Sequence, residues 1–438
     1  MTKEEKYNLA IYAMKHALRN GADQAGVSLS NSISNSLEVR NKQTDMLEQA
    51  NQVNLTIRLF VNNKYSAHST NRLNKKDLKR FIEEAVSGTK FLSEDLFRSL
   101  PDPGLYFSGE KSDLKTRDAY FERVTPEEKI RLAFEAESEA INKDSRIISV
   151  TAGYYDSLNE RVLVTSNGFR GDTANSYYGL NTSVSVNGGE SRPESYWSEN
   201  SVFFNSLKTQ GIGQKALQRA LKKIGQRKIA SGRMPMIVEN RQVSRIFRPV
   251  LSALNGSSIQ QKNSFLIDKK GEKVFSDKLS VTDDPFLISG MASCHFDNEG
   301  IAAERRNIIE NGVLNFYYID TYYGKKLNMP PTTGNHTNLI FKSGNKNLQE
   351  LISGVTKGIL VTAFNGGNCN GSTGDFSYGI EGFLIERGEP VHPVSEMNIT
   401  GNMAELWSGV VETGNDMNEN SAWIVPSVLF DNVDFSGL

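Results

Sequence analysis

The sequence predicts an α+β fold in three segments, residues 1–103, 104–230 and 231–438, with the last the richest in strand. Two observations lead there. Helix-period and strand-period stretches mix through the first two segments. From about Arg233 onward, strands and turns dominate around one conspicuous helix.

The chain opens on an amphipathic helix. Thr2 and Glu5 have capping-box spacing, and Leu9, Tyr12, Ala13 and Ala17 share one face. Val53, Leu55, Ile57, Leu59 and Val61 then alternate with polar Asn54, Thr56 and Arg58, the period of a half-buried strand. Asn62 and Asn63 suggest a turn into a second strand around Tyr65 to Ser69. Leu78, Phe81, Ile82, Ala85 and Val86 recur at helical spacing, with Gly88 as the stop. Lys75, Lys76, Lys79 and Arg80 fall on the other side and read as a solvated face.

Pro101 and Pro103 mark the first boundary. The second segment starts a helix at Thr125, with Pro126 in the first helical position and Glu128 in the box position. Strands follow over Arg146 to Tyr155 and Arg161 to Thr165, and a helix around Gln214 to Gln226 closes the segment. In the third, Met236 to Glu239 reads as a short strand. Asn240 is placed to cap a helix carrying Val243, Ile246, Phe247, Val250 and Leu251, ending at Asn255-Gly256. Asn311-Gly312 is a strong two-residue hairpin signal.

Composition narrows the function. Hydrophobic residues make up 38% and charged ones 23%, which excludes disorder as the whole answer. Lys+Arg 50 against Asp+Glu 51 leaves a formal net charge of -1, without the basic excess of a nucleic-acid binder. Two cysteines, Cys294 and Cys369, cannot build a disulfide framework and fit a reducing compartment. The N-terminus lacks a signal-peptide pattern, and no apolar run approaches the roughly 20 residues that span a bilayer. The expectation is a soluble cytoplasmic protein bound to neither membrane nor nucleic acid.

Local motifs for chemistry are absent. No two of the five histidines lie within ten positions of each other, and HExxH, HExxxH, CxxC and GxSxG do not occur. The glycine-rich stretch Asn365-Gly366-Gly367-Asn368-Cys369-Asn370-Gly371-Ser372-Thr373-Gly374-Asp375 lacks the lysine of a phosphate-binding loop. Its composition suits a loop presenting backbone groups, to a ligand or to its own turns.

The run from Gly374 to Trp407 changes the picture. Gly374-Asp375, Ser377, Gly382-Phe383, Glu386, Gly388-Glu389, Pro393-Val394-Ser395-Glu396 and Gly401-Asn402 together closely resemble the TldD/PmbA (TldE) family, long labelled modulators of DNA gyrase. Phe296-Asp297-Asn298-Glu299-Gly300 and Gly414-Asn415-Asp416 fit the same pattern, and the resemblance covers nearly the whole chain. It implies a cytosolic metallopeptidase system. Catalytic TldD-type chains carry HExxxH on a helix of the third domain and a zinc-binding cysteine near the C-terminus. PmbA/TldE-type chains lack both and partner the catalytic subunit around a shared cavity.

Aligned on Asn255-Gly256, the HExxxH positions here hold Phe247, Arg248, Pro249, Val250, Leu251 and Ser252. Both histidines are replaced, and a guanidinium stands where the general base would be; it donates only and stays charged. Pro249 is expected to kink or shorten the helix. Val425 falls where the metal-binding cysteine would lie.

The resemblance therefore implies a non-catalytic subunit with no cofactor of its own. It would sit beside a zinc-bearing TldD-like partner and help enclose an unfolded peptide, with a homodimer also open. Asn365, Gly366, Gly367, Asn368, Gly374, Asp375 and Ser377 are the candidate cavity loop. Arg248 is a candidate for a peptide's C-terminal carboxylate, or for a structural ion pair. The alternatives are a peptidase with zinc held by His295, His336, His392 or the cysteines, and a regulator acting on gyrase without proteolysis.

Overall fold

The computed structural model describes residues 1–438. The capping signals are realised: in α1 (Lys3–Arg19) Thr2 and Glu5 each bond the other's backbone N–H. After α1 come β1 (Gln24–Arg40), β2 (Gln43–Val61), β3 (Lys64–Thr70) and α2 (Lys75–Thr89). The middle segment contributes α3 (Pro126–Ser138), β4 (Ile147–Thr165), β5 (Arg170–Val186), β6 (Glu194–Ser201) and α4 (Ile212–Lys222). All six strands join one antiparallel sheet in the order β3-β2-β1-β4-β5-β6, so the first two segments share a sheet through β1 and β4. The odd-numbered Val27, Leu29, Leu37 and Val39 of β1 face the helices, which line one side of the sheet.

The strand assignments differ from the sequence reading in three places, the first being that the strands expected over Arg146 to Tyr155 and Arg161 to Thr165 are the single strand β4. β1 was not expected, and β2 begins ten residues before Val53. Between Ser28 and Ser36 the residues that alternate with the core side are serines on a half-exposed face. Pairing on both sides, with β2 and β4, holds that stretch in the sheet without apolar alternation.

The third segment holds β7 (Gly232–Val238), α5 (Asn240–Ala253), α6 (Gly256–Gln260), β8 (Val281–Asp284), β9 (Arg306–Glu310), β10 (Val313–Leu314), α7 (Thr321–Leu327), β11 (Asn338–Phe341) and α8 (Leu348–Ser353). It continues with β12 (Lys357–Cys369), β13 (Asp375–Glu386), β14 (Glu389–Asn402), α9 (Met403–Ser408), β15 (Val410–Thr413), β16 (Trp423–Ile424) and β17 (Val428–Ser436). One sheet runs β10-β9-β8-β11-β16. The other runs β14-β13-β12-β7-β17-β15, and pairing of β14 with β17 closes its first five strands into a barrel. Asn311 and Gly312 form the expected hairpin between β9 and β10, both at positive φ.

α5 is the helix between these sheets, and its apolar side joins a single core with both. It differs from expectation in two ways. Glu239, not Asn240, is the capping position, and the Asn240 backbone N–H donates to Ser427 Oγ at 3.0 Å. Pro249 does not shorten the helix, which continues to Ala253. The carbonyl its missing N–H would serve belongs to Arg245, a solvent-exposed residue, so water can substitute for the lost bond.

The Phe296–Gly300 stretch fastens the third segment to the first sheet. Phe296 packs on Phe169 with ring centroids 4.9 Å apart, and Arg161 of β4 donates to Asn298 Oδ1 at 2.6 Å. This fixes how α5 stands relative to β6.

Candidate functional site

The exposed side of α5 faces a seam between the middle and third segments. Three cavities follow it, each sharing lining residues with the next. The first, about 440 Å³, lies among Arg248, Ser252, Asn255, His336 and Trp423. The second, about 530 Å³, shares Ser244 and Ser421 with it and reaches Trp197 and Asn200 of β6 and Asn365 of β12. A third of about 520 Å³ shares Arg219, Lys223 and Thr362 with the second and ends at His392 of β14.

Several charges along the second and third cavities are paired within the chain. Arg219 makes two bonds to Glu239, at 2.7 and 2.6 Å. Lys223 pairs with Glu381 at 2.6 Å, and Glu381 also accepts from Asn365 Nδ2 at 2.6 Å. Arg241 lies 3.6 Å above the Trp197 ring and donates to the Ser198 carbonyl at 2.9 Å. Arg245 donates to the Gly366 carbonyl at 3.1 Å. The sequence reading missed that Arg241, Arg245 and Arg248 form one row along α5. Their spacing of four and three residues was the available signal.

The first cavity is different. None of its lining residues is acidic, and Arg248 makes no ion pair, so the structural salt bridge considered for it does not form. Its guanidinium lies 5.9 Å from the centre of the Trp423 ring. The Trp423 indole N–H donates to His336 Nε2 at 3.3 Å. An indole can only donate, so that nitrogen is bare and the imidazole proton sits on Nδ1.

Burial holds the His336 pKa below its ordinary 6.5; Asp283 opposes the shift and the positive Arg248 adds to it. Behind it Asp283 accepts from Tyr318 Oη at 2.9 Å and from the Thr337 backbone and hydroxyl. Burial raises the Asp283 carboxyl pKa even so. Because the folded imidazole resists protonation, its contribution to stability is complete above about pH 6.5 and is lost as pH falls through the lowered folded value. Thermal melts on either side of that window should show a drop on acidification that is smaller in His336→Gln. An equal drop in both proteins would assign it to other groups.

The positions matching the family zinc helix do not fit a metal. Phe247 is fully buried among Phe341, Trp407 and Trp423, and Val425 lies in the same core. Arg248 and Ser252 lie on the exposed side, and the Ser252 hydroxyl donates back to the Arg248 carbonyl at 3.1 Å. No three His, Cys, Asp or Glu side chains converge anywhere in the chain. His295 packs between Phe107 and Phe286, far in the fold from His392 on β14. Burial pushes the Cys294 thiol up to about 11 and raises that of Cys369 too, so neither is a ready thiolate at neutral pH.

The stretch read as a cavity loop is mostly a hairpin. Asn365, Gly366, Gly367 and Asn368 belong to β12, and Asp375 and Ser377 to β13. Gly367, at φ +90, has no room for a side chain: a Cβ there would lie 2.4 Å from the Ser377 carbonyl. Asn368 pairs across from Ser377, while Asp375, beside Gly374 in the turn, accepts from Thr373 Oγ1 and Asn402 Nδ2. Of these seven residues only Asn365 lines any of the three cavities, the second.

Known proteins share this fold. Three profiles of one family cover most of the chain: PmbA/TldA metallopeptidase domain 1 at residues 25–88, the central domain at 119–224 and the C-terminal domain at 231–437. A crystal structure from Bacteroides thetaiotaomicron, a proposed modulator of DNA gyrase, is 49% identical with a TM-score of 0.98 and full coverage of both chains. Metalloprotease PmbA of Escherichia coli O157:H7 is 28% identical over 423 residues, 95% of this chain and 93% of that protein. TldE from Thermococcus kodakarensis shares the fold at 21% identity, with a TM-score of 0.86 over 98% of this chain and 99% of its own. The chain belongs to the PmbA/TldD metallopeptidase family.

Proposed function

We propose that this chain is the non-catalytic member of a two-subunit peptidase. It holds an unfolded peptide in the seam along α5 while a relative bearing HExxxH supplies the zinc. The observation that carries this reading is the helix itself: Phe247 is sealed in the aromatic core where a ligand would stand, yet the cavities beside the helix are open. The paired cations and acids of the seam support recognition of backbone and shape over one substrate charge. Extended peptides are commonly held in this way, with sequence read only weakly. The zinc then acts on a peptide bond from the partner's side, and this chain orients the substrate.

Purification of the tagged chain from its own cells is the test. An HExxxH-bearing relative should co-purify, and cleavage of an unfolded peptide should require both proteins. The isolated chain should carry far less than one zinc by plasma mass spectrometry. Cleavage by the isolated chain would overturn the reading. Capture of gyrase with no peptidase relative would replace it with the regulatory one.

A further inference from the structure

The Arg248 cavity contains donors without acceptors to match. Arg219, Arg241 and Arg245 each hold a partner within the chain, whereas the Arg248 guanidinium holds none. Beside it, the His336 Nδ1–H has no partner in the chain. Asn255 spends its carbonyl oxygen on the Ser257 backbone N–H and hydroxyl, at 3.0 and 2.7 Å, which leaves its amide N–H groups free. Three donors from α5, the turn that follows it and the loop before β11 thus line a cavity with no carboxylate. A ligand matching them must be rich in acceptors and negatively charged, and a carboxylate is both. The planar guanidinium can hold both of its oxygens.

We propose that this cavity is a carboxylate site that takes the free C-terminus of a peptide lying along the seam. The proposal rests on the seam reading above and adds polarity to it. The cavity stands at one end of the row of three, where a chain end is accommodated more readily than a continuing backbone. Trp423 and Leu251 offer apolar surface for the last side chain. The other cavities, where Arg219, Lys223 and Arg241 are already paired, receive the uncharged backbone upstream.

The experiment uses the isolated full chain and a fluorescein-labelled, unstructured ten-residue peptide without acidic side chains, in free-acid and C-terminally amidated forms. Fluorescence anisotropy should show the free acid binding about tenfold more tightly, equivalent to ~1.4 kcal/mol. Arg248→Ala should remove that preference, so that acid and amide bind alike; Arg248→Lys should restore part of it. An amidated peptide with one added internal glutamate separates the two sources of carboxylate: the C-terminal assignment requires it to bind as weakly as the plain amide. Equal binding of acid and amide, a preference that survives Arg248→Ala, or binding of neither form would overturn the site. Because no partner is present, these outcomes are independent of whether an HExxxH relative assembles or cleaves.

Discussion

Phe247→Ala is expected to lower the stability of the third segment by about 3–5 kcal/mol, the range for truncating a fully buried aromatic side chain. Phe247 meets Phe341 and Trp407 edge to face at 4.8 and 5.0 Å, so the substitution removes specific ring contacts as well as buried area. Urea unfolding followed by tryptophan fluorescence reads the loss directly, since Trp407 lies against the ring. The same geometry decides the fate of a restored motif. In Phe247→His/Arg248→Glu/Ser252→His, position 247 stays sealed in the aromatic core while position 252 lies on the exposed side, and Val425 still stands where the third ligand would be. The triple variant should therefore hold no stoichiometric zinc and be less stable than the parent. One tightly bound zinc per chain would show that α5 can re-form around a metal.

Asp156→Ala should cost a similar amount, about 3–5 kcal/mol, for an electrostatic reason. Asp156 in β4 is buried and pairs with Lys129 of α3 at 2.7 Å, while Asn35 Nδ2 and Tyr154 Oη also donate to it, at 2.6 and 2.9 Å. Removing the carboxylate leaves a buried ammonium and two donors unmatched. Burial, the main cause of the raised Tyr154 phenol pKa, persists in the variant and disfavours ionisation of that phenol to replace the lost charge. Converting both partners, Asp156→Leu with Lys129→Met, should recover most of the loss in the same urea experiment. By contrast Glu84→Ala, which breaks an exposed pair with Arg80 at 2.7 Å, should leave the urea midpoint essentially unchanged. Equal effects from Glu84 and Asp156 would contradict the role given to burial.

The local rules were legible wherever the chain satisfies itself locally. The Thr125–Glu128 capping box, the Asn311-Gly312 turn and the buried Leu55, Ile57 and Leu59 follow from neighbours in sequence and appear as expected. β1 did not, because its serines and asparagines are held by strands on both sides rather than by an apolar pattern. The site divides along the same line. Phe247, Arg248 and Ser252 could be singled out only through family resemblance, and the seam could not be found at all. Its second wall, around Trp197 and Asn200, is forty or more residues from α5 in sequence and reaches it only in the fold. The Asn365–Ser377 stretch misled for a related reason. Gly367, one of the glycines that suggest an open loop, is required here because two strands of a hairpin approach too closely for a side chain.

The barrel closure has a consequence for how the protein is made. β7 is the first barrel strand synthesised, and its neighbour on one side is β17, the last. At 5–20 residues per second, roughly 10–40 s of translation separates the two. Until Val428 to Ser436 emerge, one edge of β7 and the β14 surface they cover have no partner. The segment that carries α5 therefore cannot complete its core until those residues are free to pair. Its final assembly comes when this nine-residue strand enters between β7 and β14.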